Sequence, residues 1–252
     1  MIKILLNGCL GKMGQAVEAC VNSRDDVMIT AGVDIADGDR IYPVYSCFVD
    51  VQEQADVILD FSNPLVLDDM LSFAVEHKLP VVICTTGFSE AQVQKIKDIS
   101  KIIPIFYSGN MSLGINLLIE LSKMATRVLS DSFDIEVIEK HHNQKLDAPS
   151  GTAIMIADAI AEEKGDTQYV YDRHAYRKKR EKNEVGIHSI RGGTIVGEHE
   201  VIFAGHDEVV SIKHQAQSKG VFASGAVNAA VYLKDKPAGL YDMGDLLNKT
   251  IS

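Results

Sequence analysis

Basic residues are in short supply: 25 Lys and Arg stand against 35 Asp and Glu, a formal net charge of −10. A protein that grips nucleic-acid phosphates or anionic membranes needs clustered Lys and Arg, so neither partner is expected. A small anionic ligand is not excluded, because a local site can be positive on an acidic protein. Uninterrupted apolar runs long enough to span a bilayer are absent from the sequence. The opening "MIKILLNG" reads as a strand, too short and wrongly composed for a signal peptide. Cysteine is sparse too: Cys9, Cys20, Cys47 and Cys84 lie in the first third, and none forms a C-x-x-C pair. That argues against a disulfide framework and a structural zinc site. The expectation is reduced, mostly buried thiols in a cytoplasmic protein. Repeats and low-complexity stretches are also missing. What is there is apolar residue, 46% of 252, enough for one large domain or two modest ones.

"KILLNG" ends at Gly8 as a buried parallel strand should. "KMGQAVEACVNS" follows with Met13, Ala16, Val17 and Cys20 near helical spacing, and "VMITAGVD" is a second apolar run ending in Asp34. This is a β-α-β unit. Its first turn, "GCLGKMG", places Gly8, Gly11 and Gly14 in a G-x-x-G-x-x-G spacing. Glycines let a backbone turn tightly beside a pyrophosphate, and the helix start offers free N–H groups. Asp34 lies where an acid can accept from a ribose diol. The alternative is a glycine-rich turn without a ligand. Further apolar runs end in "DFS" at Asp60, in "CTTG" from Cys84 and in "SGNMS" from Ser108. In an open parallel sheet, ligands bind beyond such strand ends; singly, each also reads as an ordinary capped turn.

After Ser112 a long amphipathic helix carries Ile115, Leu118, Ile119, Met124 and Leu129, and "FDIEVIE" alternates like a half-exposed strand. Then comes "EKHHNQKLDAPSGTA", residues 139–153. Ser150 is placed to cap a helix in which Ala153, Ile156, Ala157 and Ile160 share a face. The N–H groups of Gly151 and Thr152 at its start make an anion site. His142 and Lys145 add positive donors. Histidine as a residue type is suited to proton transfer near neutral pH, so His141 can give or take a proton. A lysine beside another cation can have a lowered pKa and donate a proton as well. The two histidines lack a third ligand at a familiar spacing, so no metal is expected. "RHAYRKKREKNEVGIHSIRGG" reads as a mobile solvated loop leading into a strand, and Arg191, Gly192 and Gly193 read as a hairpin turn in preference to a substrate contact. "TIVGEHEVIFAG" and "EVVSIKHQA" alternate like strands of an open sheet. A helix from about Ala223 to Leu233 and a short amphipathic tail close the chain.

The segment "EKHHNQKLDAPSGTA" resembles the signature of the dihydrodipicolinate reductases, also called 4-hydroxy-tetrahydrodipicolinate reductases. The order "GCLGKMG", "DFS", "CTTG", "GNMSLGINLL", signature, "GEHEVIFAG", "FASGAVNAAVYL" matches over nearly the whole chain. The resemblance implies an α/β protein. It has a Rossmann-type domain, 1–111 with 222–252, and a smaller α+β domain on an open mixed sheet, 112–221. The second domain would bind substrate and assemble a homotetramer. The implied reaction is NAD(P)H-dependent reduction of a cyclic dicarboxylate in lysine and diaminopimelate biosynthesis. By motif position, His141 and Lys145 are implied as proton-transfer residues, and His142, Gly151 and Thr152 as substrate-carboxylate contacts. Gly8, Cys9, Leu10, Gly11, Lys12, Met13, Asp34, Cys84, Thr85, Thr86, Ser108, Gly109, Asn110 and Met111 are implied as the cofactor shell. Cys84 departs from the family's Gly-Thr-Thr-Gly. Asp34 is followed by Ile35, not by an arginine that could meet a 2′-phosphate, so NADH is expected over NADPH, with Lys12 able to soften the preference. The competing readings are another small Rossmann dehydrogenase, acting on an amino acid or semialdehyde, and a non-catalytic dinucleotide sensor.

Overall fold

The computed structural model describes residues 1–175 and 177–251. The chain divides into two compact units: residues 1–113 with 219–252, and residues 114–218. In chain order, the first unit begins with β1 (Ile2–Asn7), α1 (Lys12–Asn22), β2 (Val27–Val33) and the short β3 (Val44–Tyr45). It goes on through β4 (Val57–Asp60), α2 (Leu67–His77), β5 (Val81–Ile83), α3 (Glu90–Ile99) and β6 (Pro104–Tyr107). Helix α4 (Leu113–Leu129) opens the second unit. It continues with β7 (Asp134–His141), α5 (Gly151–Lys164), β8 (Gln168–Val170), β9 (Glu184–Arg191), β10 (Gly197–Ala204) and β11 (Val209–Ala216). The chain then completes the first unit with α6 (Gly220–Leu233), β12 (Gly239–Tyr241) and α7 (Met243–Ile251).

The first unit is a seven-stranded parallel sheet in the order β12-β6-β5-β4-β1-β2-β3. Its central strands are mostly apolar because both faces are covered, with Asn7 and Asp60 at the ends of β1 and β4 as buried polar exceptions. Ile4 and Leu6 of β1 point into one core with Val57 and Leu59 of β4, Val82 and Phe106, against α1 and α6. Leu5, Ile58, Val81, Ile83 and Ile105 point the other way, into a core closed by Leu67, Met70, Leu71 and Ala74 of α2. The period of two along each strand therefore sorts one run of residues into two cores. Strand order reverses between β2 and β4 on either side of β1, which makes the carboxyl ends of β1 and β4 the switch point where such sheets bind ligands.

The second unit is a five-stranded mixed sheet, β11-β10-β7-β9-β8. β7 runs antiparallel to β10 and parallel to β9. Ile135 and Val137 of β7, Ile187 of β9, and Val201 and Phe203 of β10 face α5 through Ala153, Ile156, Ala157 and Ile160, as the helical spacing predicts. Leu118 of α4 joins them. Met124 does not lie on that buried face: it is 57% exposed and shares an outward stripe with Leu117, Leu121 and Val128.

Two other expectations need correction. Of the four cysteines Cys9 is buried, Cys20 and Cys84 are half-buried, and Cys47 is exposed with its Sγ 2.9 Å from Asp50. The basic run before β9 is not merely solvated. Arg180 bonds Asp134 and Glu136 at 3.0 Å each, and also the carbonyls of Ile135 and Glu184, while Arg173 pairs with Glu184 at 2.9 Å. Acids on the sheet, the buried Glu184 among them, hold those cations in place. Tyr176, inside that run, lies outside the described residues.

Candidate active site

Gly8 closes β1 at φ +79°, and a Cβ there would sit 2.5 Å from the Phe61 carbonyl oxygen. Only glycine fits both the left-handed turn and the close approach of the segment after β4. The chain then enters α1 with Gly11 at the N-cap and Lys12 as an exposed first helical residue. No side chain caps that helix, so its first N–H groups stay available for an anion. The ends of β1 and β4 are stitched together: Asn7 donates to Asp60 at 2.8 Å and to Ser62 at 2.9 Å. Burial pushes the Asp60 carboxyl up against the lowering effect of bonds from Ser62, Thr85 and Asn7.

A cleft of about 940 Å³ opens beside this turn, lined by Gly8, Leu10, Gly11, Asp34, Phe61 and Phe73 among others. Its volume and its glycine cradle suit a dinucleotide. Asp34, just past β2, uses its oxygens to hold the turn as well: Oδ2 accepts from Leu10 N at 2.8 Å and Oδ1 from Ala36 N at 3.1 Å. A carboxylate has lone pairs to spare for a ribose diol. Cys9 and Met111 turn their side chains into the core, and Met13 packs partly buried against the same core. These three offer a ligand mainly their backbone. Cys84, Thr85 and Thr86 follow β5; Ser108, Gly109 and Asn110 follow β6. They do not line that cleft. Burial, with the Asp60 carboxylate nearby, pushes the Cys84 thiol well up, so it stays neutral. Ser108 Oγ donates to the Asn110 carbonyl at 3.0 Å and Asn110 Oδ1 accepts from Ser112 N, which shapes the turn from within.

In the second unit, β7 delivers Glu139 and His141 on one face of the strand, two residues apart. Glu139 is fully buried. Its Oε2 lies 2.6 Å from His141 Nδ1 and accepts from Arg191 Nη1 at 2.8 Å. Its Oε1 accepts from Arg191 Nη2 at 2.7 Å and from the Ser150 N–H at 3.1 Å. Burial alone would push this carboxyl up. The hydrogen bonds from His141, Arg191 and Ser189 outweigh it and hold Glu139 well below the usual carboxylate range. Arg191 Nη2 also donates to the Asp147 carbonyl at 2.7 Å, tying down the loop that carries Lys145. Arg191 is thus the end of β9, paired with the buried Glu139, and the expected hairpin is not formed: the turn after it leads to β10, which lies across β7 from β9, with Asn143 N donating to Gly193 O.

Ser150 caps α5 as the spacing predicts, its Oγ accepting from Ala153 N at 3.1 Å. The same Oγ meets His199 Nε2 at 3.1 Å. The His199 ring packs edge-on to His141, centroids 5.3 Å apart. Burial, then repulsion from His141, brings His199 down to about 4, so it is neutral at pH 7. Gly151 and Thr152 form the first turn of α5. Lys145 Nζ lies 2.8 Å from Asp147 Oδ1, so its immediate partner is an anion and not the expected cation. Lys145, helped by the Gly151 N–H, holds the Asp147 carboxyl below its ordinary value. An internal carboxylate therefore shares the donors expected to bind a ligand's carboxylate. His142 Nδ1 is buried with no hydrogen-bond partner among the described residues.

The structure thus gathers His141, Lys145, Gly151 and Thr152 around one strand end and one helix start, with His142 next along the chain. Glu139 and His199, to which the motifs assign no role, belong to the same cluster, as does Arg191, whose sequence context favours a turn. For Glu139 a signal existed: an acid two residues before a histidine in an alternating strand shares its face. Arg191 is 52 positions from Glu139 and no local pattern joins them.

Glycine turn, switch point and terminal acid define the class: a Rossmann-type pyridine-nucleotide-binding fold, accompanied by a second mixed sheet that carries an acid–base cluster. Residues 2–111 match the family model described as dihydrodipicolinate reductase, N-terminus, and residues 114–247 the one described as dihydrodipicolinate reductase, C-terminus. The chain belongs to the dihydrodipicolinate reductase family. It is 49% identical over 249 residues to the 4-hydroxy-tetrahydrodipicolinate reductase of Clostridium novyi (strain NT), covering 98% of each chain. It is 50% identical over 250 residues to that of Caldanaerobacter subterraneus subsp. tengcongensis, covering 99% of each. The fold matches the dipicolinate-bound dihydrodipicolinate reductase from Paenisporosarcina sp. TG-14 at TM-score 0.81, with 24% identity, over 96% of this chain and 97% of that one. It also matches a probable dehydrogenase from Thermotoga maritima at TM-score 0.62 and 11% identity, over 97% and 92%. No helix among the described residues is long and apolar enough to cross a membrane.

Proposed function

We propose that this chain is an NAD(P)H-dependent oxidoreductase that reduces 4-hydroxy-tetrahydrodipicolinate to tetrahydrodipicolinate, a step of lysine and diaminopimelate biosynthesis. Family membership over both halves of the chain supports the reaction. The single observation that carries the site is the convergence of His141, Lys145 and the start of α5 around a buried, ion-paired Glu139.

The glycine turn Gly8–Met13 and the free N–H groups of α1 would hold the pyrophosphate, and Asp34 a ribose diol, with the turns Cys84–Thr86 and Ser108–Met111 completing the shell. Bound NADH or NADPH supplies a hydride. The N–H groups of Gly151 and Thr152, with Lys145 and His142, hold the carboxylates of the ring, displacing Asp147 from Lys145. The ring's 4-hydroxyl leaves as water, and His141 and Lys145 hold and deliver the proton that, with the hydride, completes the reduction. Asp34, followed by Ile35, disfavours a 2′-phosphate, so NADH is the preferred cofactor. The acidic surface fits a cytoplasmic enzyme, and the second sheet is the part expected to bind substrate and assemble a homotetramer.

The test is the absorbance of NADH, and separately of NADPH, on adding the ring made in situ by the synthase from aspartate semialdehyde and pyruvate. The expected result is substrate-dependent loss of absorbance, with higher kcat/KM for NADH. Absence of turnover with both cofactors refutes the reaction; a clear NADPH preference refutes the role given to Asp34.

A further inference from the structure

We infer that Glu139, gripped by Arg191, is a positioning residue that fixes which nitrogen of His141 exchanges a proton. The inference rests on the reading of His141 as a proton-transfer group. Glu139 is an ionised carboxylate, so it can only accept hydrogen bonds. Its 2.6 Å contact with His141 Nδ1 therefore requires the proton on Nδ1. Nε2 is left as the nitrogen that takes and returns a proton.

The carboxylate is itself held without slack. Both oxygens take the two-pronged Arg191 guanidinium, and Oε1 also takes the Ser150 N–H. Such a bidentate pair is directional as well as strong. The other faces of the ring are equally defined. His199 abuts it edge-on. Gly197 of β10 leaves room at the remaining edge, where a Cβ would come within 3.1 Å of Nε2. The arrangement repeats the logic of an acid that orients a catalytic histidine, built here within one strand and its parallel neighbour.

The experiment uses the full chain with 15N-labelled histidine. Nitrogen chemical shifts of His141 report its tautomer in the neutral protein without substrate, and steady-state kinetics report kcat and KM. In Glu139→Gln the amide oxygen, in the place of Oε1, takes Arg191 Nη2 and the Ser150 N–H, so the amide nitrogen takes the place of Oε2, Arg191 Nη1 loses its acceptor, and the amide N–H facing His141 moves the ring proton to Nε2. The expected result is an Nδ1–H signature in the wild type, an Nε2–H signature in Glu139→Gln, and kcat lower by on the order of 10² or more with KM for NADH unchanged. Arg191→Lys keeps the charge and loses the double grip. It is expected to give mixed tautomers and an intermediate kcat, and it decides the matter if Glu139→Gln fails to fold. An unchanged Nδ1–H signature with kcat within about threefold of wild type in the folded variant overturns the inference. If the wild type does not reduce the ring at all, the functional reading fails, while the tautomer comparison still decides the positioning role.

Discussion

His141 and Lys145 are four positions apart in the chain but are held by different means. His141 is clamped from a strand by a buried carboxylate, and Lys145 sits on a loop paired with Asp147. If both deliver protons, His141→Ala and Lys145→Ala each lower kcat by roughly 10²–10⁴-fold, the scale of general acid–base groups. Steady-state turnover of the two variants checks this, and near-wild-type rates in both would remove them from the role. These residues were visible in the sequence because they crowd into one segment. Their supporting partners were not. Arg191 reaches Glu139 only because β9 lies parallel to β7 in register, with His141 opposite Arg191. Register between strands 50 positions apart is a tertiary fact, and the glycines after Arg191 favoured a simpler turn.

At the scale of elements, α5 was legible in both its cap and its buried face, because capping and helical period are local rules. Its N-cap also touches His199 and Glu139, so the start of the helix is both a structural end and part of the site. Ser150→Ala removes the bond to Ala153 N and the contact to His199. It should cost about 1 kcal/mol of stability, measured by urea unfolding, and raise KM for the ring as the first turn frays. An unchanged unfolding midpoint would show that the cap contributes nothing. Strand β12 was not legible. Three residues, Gly239–Tyr241, carry no periodicity, and they form a strand only because β6 offers its open edge. Met124 shows a similar limit: a helical stripe predicts a buried face, but α4 has a second apolar stripe that stays outside.

For the whole molecule, the two-sheet architecture was legible because one region has mostly continuous apolar runs and the other alternates. The pH response is a property of the folded whole. His199 titrates at about 4 in the folded chain, with burial, His141, His214 and Lys145 pushing it down and Glu139 pulling it up. An unfolded histidine titrates near 6.5. As pH falls through that window the unfolded chain binds the proton first. Stability is therefore full above about pH 6.5 and declines toward pH 4, by up to roughly 3 kcal/mol from this group. Glu139, depressed in the fold, extends the loss below the ordinary carboxylate range. Urea unfolding from pH 7.5 to 4 should show this slope, and His199→Gln should flatten it; equal slopes in the two proteins would contradict the assignment.

The claim beneath all of this is that the segment from Glu139 to Thr152 holds a ring dicarboxylate. Calorimetric titration of pyridine-2,6-dicarboxylate into the NADH complex tests it most directly, comparing wild type with Lys145→Met. Loss of one charged hydrogen-bond donor should weaken binding about 10- to 100-fold. Equal affinity in the two proteins, or no binding to the wild type, would contradict the account.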